Sequence, residues 1–364
     1  MKVVHVELGR HLYGGARQVV YLLDGLGRWP GEHVLVCARG AAIAAAVTNP
    51  RVKVRALPFG GDLDALFAWR LRGLLSAERA DLVHVHSRRG DLAAILAGRM
   101  AGVGVVHSRR VDNPPNRADR LLKLPLCDRI VTISEGILDV LRRAGIPAGR
   151  LACVPSAVDV ERHGRACDRA WLAAELGVPA DAPLVGMVAQ LIPRKGHEVL
   201  LAALRELLPA HPALRVLLLG RGPLEAALKE RTRAAGLGGA VCFAGFRADL
   251  PRILPCLDVL AHPAWMEGLG VSLLEAAACG VPIVASRAGG MPEAVEDGVT
   301  GFLIAPGDVD ALADRLNRLL GEPELARRMG QAGRRRVEQR FAVPRMVEGN
   351  YRVYEAVLRE RAGR

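Results

Sequence analysis

Short aliphatic segments alternate with helical patterns along the chain, and this alternation limits what the sequence can fold into. In the first half, strands are predicted at residues 3–8, 34–37, 52–57, 82–86, 103–107 and 130–133. In the second half, strands are predicted at residues 184–188, 216–219, 241–244, 259–261 and 283–285. Because strand–helix alternation produces a parallel sheet with helices on both faces, each half is predicted to be an α/β domain.

A break in this pattern divides the 364-residue chain into two predicted domains. The segment 154–159, V-P-S-A-V-D, carries neither a strand nor a helix pattern and is interpreted as a linker. The first domain is predicted to span residues 1–155 and the second residues 156–341, each near the usual size of a domain. The chain ends in a predicted amphipathic helix over residues 341–359. Its apolar face consists of Met346, Tyr351, Tyr354 and Leu358.

Charge is distributed unevenly between the two halves. The net charge is +12, of which residues 1–155 contribute +10. This surplus favours an anionic partner for the first domain, such as a membrane surface, a phosphorylated glycolipid or nucleic acid. Aromatic residues make up 4% of the chain, which is poor for base stacking and argues against nucleic acid.

Composition also indicates the cellular compartment in which the protein is located. The seven cysteines form no C-x-x-C pair, so buried, reduced thiols are expected. The apolar run at residues 41–47 is far shorter than the roughly 18 residues that a membrane-spanning helix needs. The chain starts directly on a strand pattern and shows no secretory signal. A cytoplasmic location is therefore predicted.

The stretch from residue 262 to 276 carries the strongest chemical signal. A predicted strand leads into a loop containing Gly268 and Gly270, and a helix is predicted to begin near Val271. Free N–H groups and the positive end of the helix dipole make such a junction an anion site. Glu267 precedes the helix, and Glu275 lies within it, where its carboxylate can accept hydrogen bonds from ribose hydroxyls.

Three other turns suit phosphate groups, and each has a simpler interpretation. The sequence Q-L-I-P-R-K-G-H, from Gln190 to His197, places two cations and a glycine after a strand, although adjacent cations are common on surfaces. The turn from Gly220 to Gly222 resembles part of a dinucleotide fingerprint, although packing alone also requires such turns. Gly14 and Gly15 form a similar turn after the first strand.

Taken in order, these motifs resemble those of the family 4 retaining glycosyltransferases, which have the GT-B fold. The resemblance covers nearly the whole chain and is strongest from residue 189 to 306. Its elements are the Gly-Gly turn, the linker, the Lys-Gly pair, the G-x-G-P turn, the E-x7-E pair, the run G-V-P-I-V-A-S-x-x-G-G-x-P-E at 280–293 and G-V-T-G-F-L at 298–303.

The resemblance implies a fold and a set of roles. It implies two Rossmann-like domains facing each other across a cleft, the first binding the acceptor and the second the nucleotide-sugar donor. The final helix, about 342–364, would cross back to the first domain. The implied donor-side residues are Lys195 on the diphosphate, Glu267 on the sugar, Glu275 on the ribose, the backbone of Gly268, Leu269 and Gly270, and Gly14, Gly15, Gln190 and Gly220 beside the phosphates.

The sequence departs from the family pattern at three places. An arginine usually stands five residues before the lysine, where this chain has Gln190, and Arg194 is a candidate to supply the missing charge. The usual N-G-V-D linker reads S-A-V-D at 156–159. The family's acceptor-side histidine follows a strand as T-x-H-D; ungapped counting places it at Arg110, whereas the nearest histidine is His107. Both remain candidates.

These residues predict a retaining transferase that needs no metal or other cofactor. The D-x-D tripeptides at 62–64 and 308–310 resemble metal ligands of other transferases, but each opens a predicted helix, where carboxylates favour the dipole. The predicted partners are a nucleotide-sugar and a glycan or lipid-linked acceptor, with peripheral contact to an anionic membrane and no nucleic acid. The alternatives are a nucleotide-sugar epimerase, a phosphorylase, or a non-catalytic nucleotide-binding protein.

Overall fold

The computed structural model describes residues 1–363 and divides the chain into two compact units. The first unit comprises Met1–Ala157 together with the last helix of the chain, and the second comprises Val158–Ala342. Each unit is a parallel sheet with helices on its faces, so the predicted α/β class is confirmed.

The first unit is built on a seven-stranded parallel sheet. Its strands are β1 Lys2–Glu7, β2 Glu32–Ala38, β3 Val52–Leu57, β4 Leu82–Val85, β5 Gly104–Arg109, β6 Arg129–Thr132 and β7 Leu151–Cys153. Their spatial order is β3-β2-β1-β4-β5-β6-β7, so the order reverses between β1 and β4. At that point Val4 pairs with Val34 on one side and Val83 on the other. All three are fully buried, which explains why these strands read as continuous apolar runs.

Six helices cover the two faces of this sheet. They are α1 Gly14–Gly25, α2 Ile43–Ala46, α3 Ala65–Ala77, α4 Asp91–Met100, α5 Glu135–Arg143 and the last helix of the chain, α14 Val343–Ala362. The last helix buries Met346, Tyr351 and Tyr354 against residues such as Leu22 and Val106. The predicted apolar face of this helix is therefore confirmed, with Leu358 only partly buried at its margin.

The second unit repeats the arrangement with a six-stranded parallel sheet. Its strands are β8 Leu184–Val188, β9 Arg215–Leu219, β10 Val241–Gly245, β11 Val259–His262, β12 Ile283–Ser286 and β13 Gly301–Ile304. Its helices are α6 Arg169–Leu176, α7 His197–Leu207, α8 Glu225–Ala234, α9 Leu250–Ile253, α10 Val271–Ala278, α11 Met291–Ala294, α12 Val309–Gly321 and α13 Pro323–Arg340. The order β10-β9-β8-β11-β12-β13 reverses between β8 and β11, where ligands bind in sheets of this kind.

Two strands, β7 and β13, were not predicted from the sequence. Strand β7 has three residues and lies at one end of its sheet, which makes its apolar run too short to stand out. Strand β13 begins at Gly301, whose φ is 159° and whose added Cβ would lie 2.2 Å from the carbonyl oxygen of Ile283. Glycine usually weakens a strand, yet here it is required by the close approach of the neighbouring strand.

The expectation that all seven cysteines are reduced is wrong for one pair. Cys167 and Cys256 form a disulfide, with their Cα atoms 4.8 Å apart. They are separated by 89 residues along the chain, and the fold brings together the loop before α6 and the short helical segment after α9. Sequence spacing could not reveal this pairing. The other five cysteines are not disulfide-bonded.

Candidate active site

The loops that follow β8, β9 and β11 are joined at one edge of the second sheet. Ala189 donates its backbone N–H to Leu219 at 3.1 Å, which ties the end of β8 to the end of β9. Trp265 donates to the carbonyl of Arg194 at 2.8 Å, which ties the loop after β8 to the loop after β11. The predicted Q-L-I-P-R-K-G-H and E-x7-E motifs therefore meet at the carboxyl edge of the sheet, on either side of the strand-order reversal.

Close backbone approach explains three glycines at this edge. A Cβ at Gly220 would lie 1.9 Å from the carbonyl oxygen of Ala189, and one at Gly222 would lie 2.4 Å from that of Leu191. Gly196 has a φ of +76°, and its Cβ would lie 1.9 Å from the carbonyl oxygen of Pro263. The G-x-G turn thus has a packing reason, and donor contact at Gly220 stays a prediction.

A lysine, a glutamate and a histidine form a largely buried charged cluster beside β11. Lys195 makes an ion pair with Glu267 Oε2, and His262 Nε2 lies 3.0 Å from the same oxygen. Gly268 donates its backbone N–H to Oε1 at 3.2 Å. Burial raises the pKa of Glu267, but the contact with His262 and the charge of Lys195 outweigh burial and bring the pKa to about 2. Glu267 is therefore an anion at physiological pH, and it orients the lysine.

Helix α10 starts directly after this cluster. Gly270 caps its N-terminus in the left-handed region at φ +88°, which favours glycine. Its carbonyl accepts the N–H groups of Leu273 and Leu274 at 2.9 and 3.3 Å. First-turn N–H groups of a helix have no carbonyl partner within the helix, so they are available to an anion. The predicted junction of loop and helix is confirmed, with Leu269 buried in the loop beneath it.

Glu275 lies in the second turn of α10 with 8% of its surface exposed. His163, from the loop that follows the interdomain linker, places Nε2 4.0 Å from Glu275 Oε1. His163 could not be predicted from the sequence, because a lone histidine in a loop has no spacing relation to the motif. His262 was also not predicted, although its position at a strand end directly before the E-x7-E pair was a usable signal.

Gln190 and Arg194 are exposed at the same edge. Neither makes a side-chain hydrogen bond or an ion pair within residues 1–363, whereas the neighbouring Lys195 is buried and paired. Arg194 is therefore placed where it can meet a solvent-borne anion, and its substitution for the family's arginine stays a prediction.

The first unit has its own cavity, of about 330 Å³, beyond the carboxyl ends of β1, β4 and β5. Gly15, His107 and Arg110 all line it. A Cβ at Gly14 would meet no atom within 4 Å, and one at Gly15 would meet Arg110 Cδ at 3.6 Å, an ordinary contact. Packing within the unit therefore does not require either glycine, in contrast to Gly220.

His107 and Arg110 reach this cavity in different ways. His107, on β5, points Nε2 at Asp91 Oδ2, 3.5 Å away, and Lys123 approaches the same oxygen at 2.9 Å. Burial raises the pKa of Asp91, but the contacts with His107 and Lys123 more than offset burial and lower it. Arg110 follows β5, and its Nε is buried beside Gly15. Both acceptor-side candidates therefore line one cavity.

A buried histidine network that the sequence analysis did not identify lies behind this cavity. His5 contacts His86 at 3.1 Å and His33 at 3.2 Å, while His84 contacts Tyr354 Oη at 2.7 Å and Ser108 Oγ at 2.8 Å. The nitrogens of His5, His84 and His86 lie within 4.8 Å of one another, a spacing that would permit a metal ion. Burial lowers their pKa values, so the rings are neutral. Hydrogen-bonding contacts engage both nitrogens of His5 and His84 and the Nε2 of His86, whereas His86 Nδ1 has no partner within residues 1–363. The network is therefore a largely hydrogen-bonded polar core.

The D-x-D carboxylates serve as helix caps. Asp64 accepts the N–H of Phe67 at 2.8 Å at the start of α3, and Asp308 accepts that of Ala311 at 2.9 Å at the start of α12. Asp62 accepts the N–H of Gly90 at 2.9 Å. The interpretation that these carboxylates favour helix starts is confirmed for both tripeptides.

Two doubly wound parallel units, with a cation–carboxylate cluster at a helix N-terminus in the second, define the class of GT-B glycosyltransferases. Residues 13–162 match the family described as Glycosyltransferase Family 4, and residues 168–336 match Glycosyl transferases group 1. The chain belongs to glycosyltransferase family 4, and the resemblance inferred from its motifs is confirmed.

Individual relatives agree with this assignment. The D-inositol 3-phosphate glycosyltransferase of Saccharomonospora viridis is 30% identical over 349 residues, which cover 85% of this chain and 80% of that protein. The GDP-mannose-dependent alpha-(1-6)-phosphatidylinositol monomannoside mannosyltransferase of Mycolicibacterium smegmatis is 38% identical over 198 residues. These residues cover 52% of this chain and 52% of that protein. The Anabaena protein HepE, in complex with UDP-glucose, shares the fold with a TM-score of 0.86 and 22% identity, covering 98% of this chain and all of HepE.

Proposed function

We propose that this glycosyltransferase moves a sugar from a nucleotide-sugar donor to a hydroxyl of a glycan or lipid-linked acceptor and retains the anomeric configuration. The observation that carries the proposal is the Lys195–Glu267 ion pair directly before the N-terminus of α10. Family membership favours transfer over the epimerase, phosphorylase and non-catalytic alternatives.

In the proposed mechanism the second unit stabilises the leaving group. The bond between the anomeric carbon and the diphosphate oxygen breaks, and negative charge grows on the diphosphate. Lys195, Arg194 and the N–H groups at the start of α10 stabilise that charge. A bond to the acceptor oxygen forms on the same face of the sugar, and the acceptor proton passes to the leaving phosphate oxygen. Glu267 contacts the sugar, and Glu275 accepts hydrogen bonds from the ribose.

The function is tested by a donor screen. UDP-, GDP- and ADP-sugars are incubated with the intact chain, and hydrolysis or transfer is followed by NMR, which also reports the anomeric configuration of the product. We expect turnover of one nucleotide class with retention. Inversion would contradict the mechanism, and rearranged sugar without transfer would indicate an epimerase.

We further propose that the reaction needs no metal ion. Asp64 and Asp308 are committed to helix caps, and one fixed cation, Lys195, lies at the proposed donor edge of the second sheet. We expect full activity in excess EDTA. Activity that is lost in EDTA and restored by Mn²⁺ or Mg²⁺ would contradict the proposal, with Zn²⁺ addition as the control for non-specific rescue.

Peripheral contact with the cytoplasmic face of a membrane is proposed for the first unit. Within residues 1–363 the structure has no helix able to cross a bilayer. Leu121 and Leu122 are 56% and 68% exposed in the short helical segment Asp119–Lys123, and the exposed Arg117 and Arg120 precede them. Cations beside exposed leucines suit a headgroup boundary. The neighbouring Leu124 and Lys123 do not belong to this surface, because Leu124 is buried and Lys123 is paired with Asp91.

Membrane contact predicts binding that depends on both charge and the two leucines. We expect the chain to sediment with anionic vesicles at low salt and to be released at high salt, since each cation near such a surface contributes about 1 kcal/mol. Replacing Leu121 and Leu122 by serine is expected to weaken binding. The matched control is Val299→Ser, which removes an exposed apolar side chain of the second unit. A wild-type chain that stays in the supernatant at low salt would contradict the membrane proposal.

A further inference from the structure

The cavity of the first unit is unusually rich in cations for a site that binds neutral sugars. Five cationic side chains and three carboxyl groups line it. The cations are Arg88, Arg89, Arg109, Arg110 and Lys123, and the carboxyl groups are Glu7, Asp91 and Asp119. How these groups pair decides what the cavity can bind.

The carboxyl groups are engaged within the unit. Asp91 contacts Lys123 at 2.9 Å and His107 at 3.5 Å, and Asp119 contacts the same lysine at 2.7 Å. Glu7 accepts the backbone N–H of Gly9 at 2.9 Å, and burial raises its pKa. Lys123 therefore accounts for two of the three carboxylates, and none of them forms an ion pair with an arginine in the part of the chain that the structure describes.

The arginines are left with unused donors. Arg109 is 6% exposed, donates one N–H to the carbonyl of Asn113, and keeps its buried Nε without a partner. Arg110 also has a buried Nε without a partner. Burial lowers the pKa of both guanidinium groups, which nonetheless stay charged at neutral pH. Within residues 1–363 neither arginine makes an ion pair, and the charges of Glu7 and Asp119 act on them only at longer range. Two adjacent cations of this kind, one buried and one partly buried, are stabilised when an anion joins them.

We propose that this cavity binds the phosphate group of the acceptor, with Arg109 and Arg110 donating hydrogen bonds to its oxygens and Arg88 and Arg89 at the rim. The inference rests on the proposed transferase function and specifies its substrate class: a phosphorylated polyol or the phosphate headgroup of a lipid. The guanidinium fork matches phosphate geometry with paired hydrogen bonds, which a single lysine does not provide. The exposed Arg88 and Arg89 guide the anion inward.

The test measures phosphate binding directly. Glycerol 3-phosphate is titrated into the intact chain by calorimetry, with glycerol as the uncharged comparison, in the presence of a saturating nucleoside diphosphate that fills the donor site. We expect glycerol 3-phosphate to bind and glycerol not to bind. Loss of phosphate binding when the nucleoside diphosphate is present would overturn the proposal, because it would assign the arginines to the donor.

Variants assign the binding to these residues. We expect Arg110→Met and Arg109→Met to weaken glycerol 3-phosphate binding by about tenfold to a hundredfold, the usual effect of losing a charged hydrogen bond. Arg88 and Arg89 lie on the exposed rim, so the double variant Arg88→Gln/Arg89→Gln is expected to fold normally. We expect it to bind glycerol 3-phosphate more weakly and with a smaller salt dependence. The control is Arg143→Met on the exposed end of α5. Unchanged affinity in the folded cavity variants would overturn the proposal.

Competition separates the two sources of phosphate. If the acceptor is a lipid, vesicles that contain phosphatidylinositol are expected to displace glycerol 3-phosphate. If the acceptor is a soluble phosphate ester, only soluble inositol phosphate is expected to displace it. Either result supports a phosphate site. A chain that binds glycerol 3-phosphate but turns over no nucleotide-sugar would contradict the proposed function and leave the phosphate site standing, so the two failures are distinguishable.

Discussion

Replacing Lys195 by alanine is expected to lower kcat by about 10²–10³-fold, the usual effect of removing one preorganised stabiliser of developing charge. The lysine is 8% exposed, and Glu267 holds it at the edge of the second sheet, directly before α10. An ammonium fixed in this way needs little reorganisation when negative charge grows on the leaving diphosphate. The measurement is steady-state kinetics with the donor identified in the screen.

The Lys195→Ala substitution also affects the cluster of Lys195, Glu267 and His262 in the absence of substrate. Without Lys195, the Glu267 carboxylate keeps its contacts with His262 and the N–H of Gly268. We therefore expect a loss of stability of about 1–3 kcal/mol and a chain that still folds. Lys229→Ala is the matched control, because Lys229 also pairs with a glutamate, at 2.7 Å, on the exposed surface of α8. Near-normal turnover in a folded Lys195→Ala chain would transfer the role to the exposed Arg194, and Arg194→Ala would then lower kcat.

Replacing Glu275 by alanine is expected to weaken nucleotide binding by about 1.5–3 kcal/mol, or about tenfold to a hundredfold in Kd. The reason is its inferred hydrogen bonds to the ribose hydroxyls, which a charged acceptor makes strong. Glu275 is held in the second turn of α10 and mostly covered, so its carboxylate has little freedom to lose when nucleotide binds. Calorimetry with the matching nucleoside diphosphate measures the change.

Two controls separate binding from folding at Glu275. Glu275→Gln preserves the shape and removes the charge, so it is expected to weaken binding less than alanine does. Glu230→Ala removes an exposed glutamate of α8 that pairs with Arg233 and should leave nucleotide affinity unchanged. Unchanged affinity in a Glu275→Ala chain with a normal melting temperature would remove Glu275 from the donor site.

The fold class and the donor-side motifs could be predicted because both are local properties of the sequence. Buried parallel strands read as short aliphatic runs, so eleven of the strands in the two sheets were predicted, although β7 and β13 were not. The loop glycines and the start of α10 follow from backbone requirements that act within a few residues. For the same reason the approximate position of Lys195 and Glu267 in the loops after β8 and β11, and of Glu275 within α10, could be predicted.

Partners that are distant in the chain could not be predicted in this way. The Cys167–Cys256 disulfide joins residues 89 apart, and His163 meets Glu275 across more than a hundred positions. No periodicity encodes such a contact, because it depends on the order in which strands assemble into the sheet. The expectation that all seven cysteines are reduced was wrong because the Cys167–Cys256 pairing is a contact of this kind.

The first unit shows most clearly which properties follow from the sequence and which depend on the tertiary structure. Its positive charge was evident from composition, in which Lys123 counts only as one more cation. The tertiary structure instead pairs Lys123 with Asp91 and Asp119 and leaves Arg109 and Arg110 facing a cavity. The sequence by itself determined the two parallel sheets, the glycine-containing loops of the second unit and the amount of charge, whereas Gly14 and Gly15, predicted as a turn, open helix α1. Only the tertiary structure decided which charges neutralise one another and which remain for a ligand, because pairing depends on distances of a few ångströms between residues far apart in the chain.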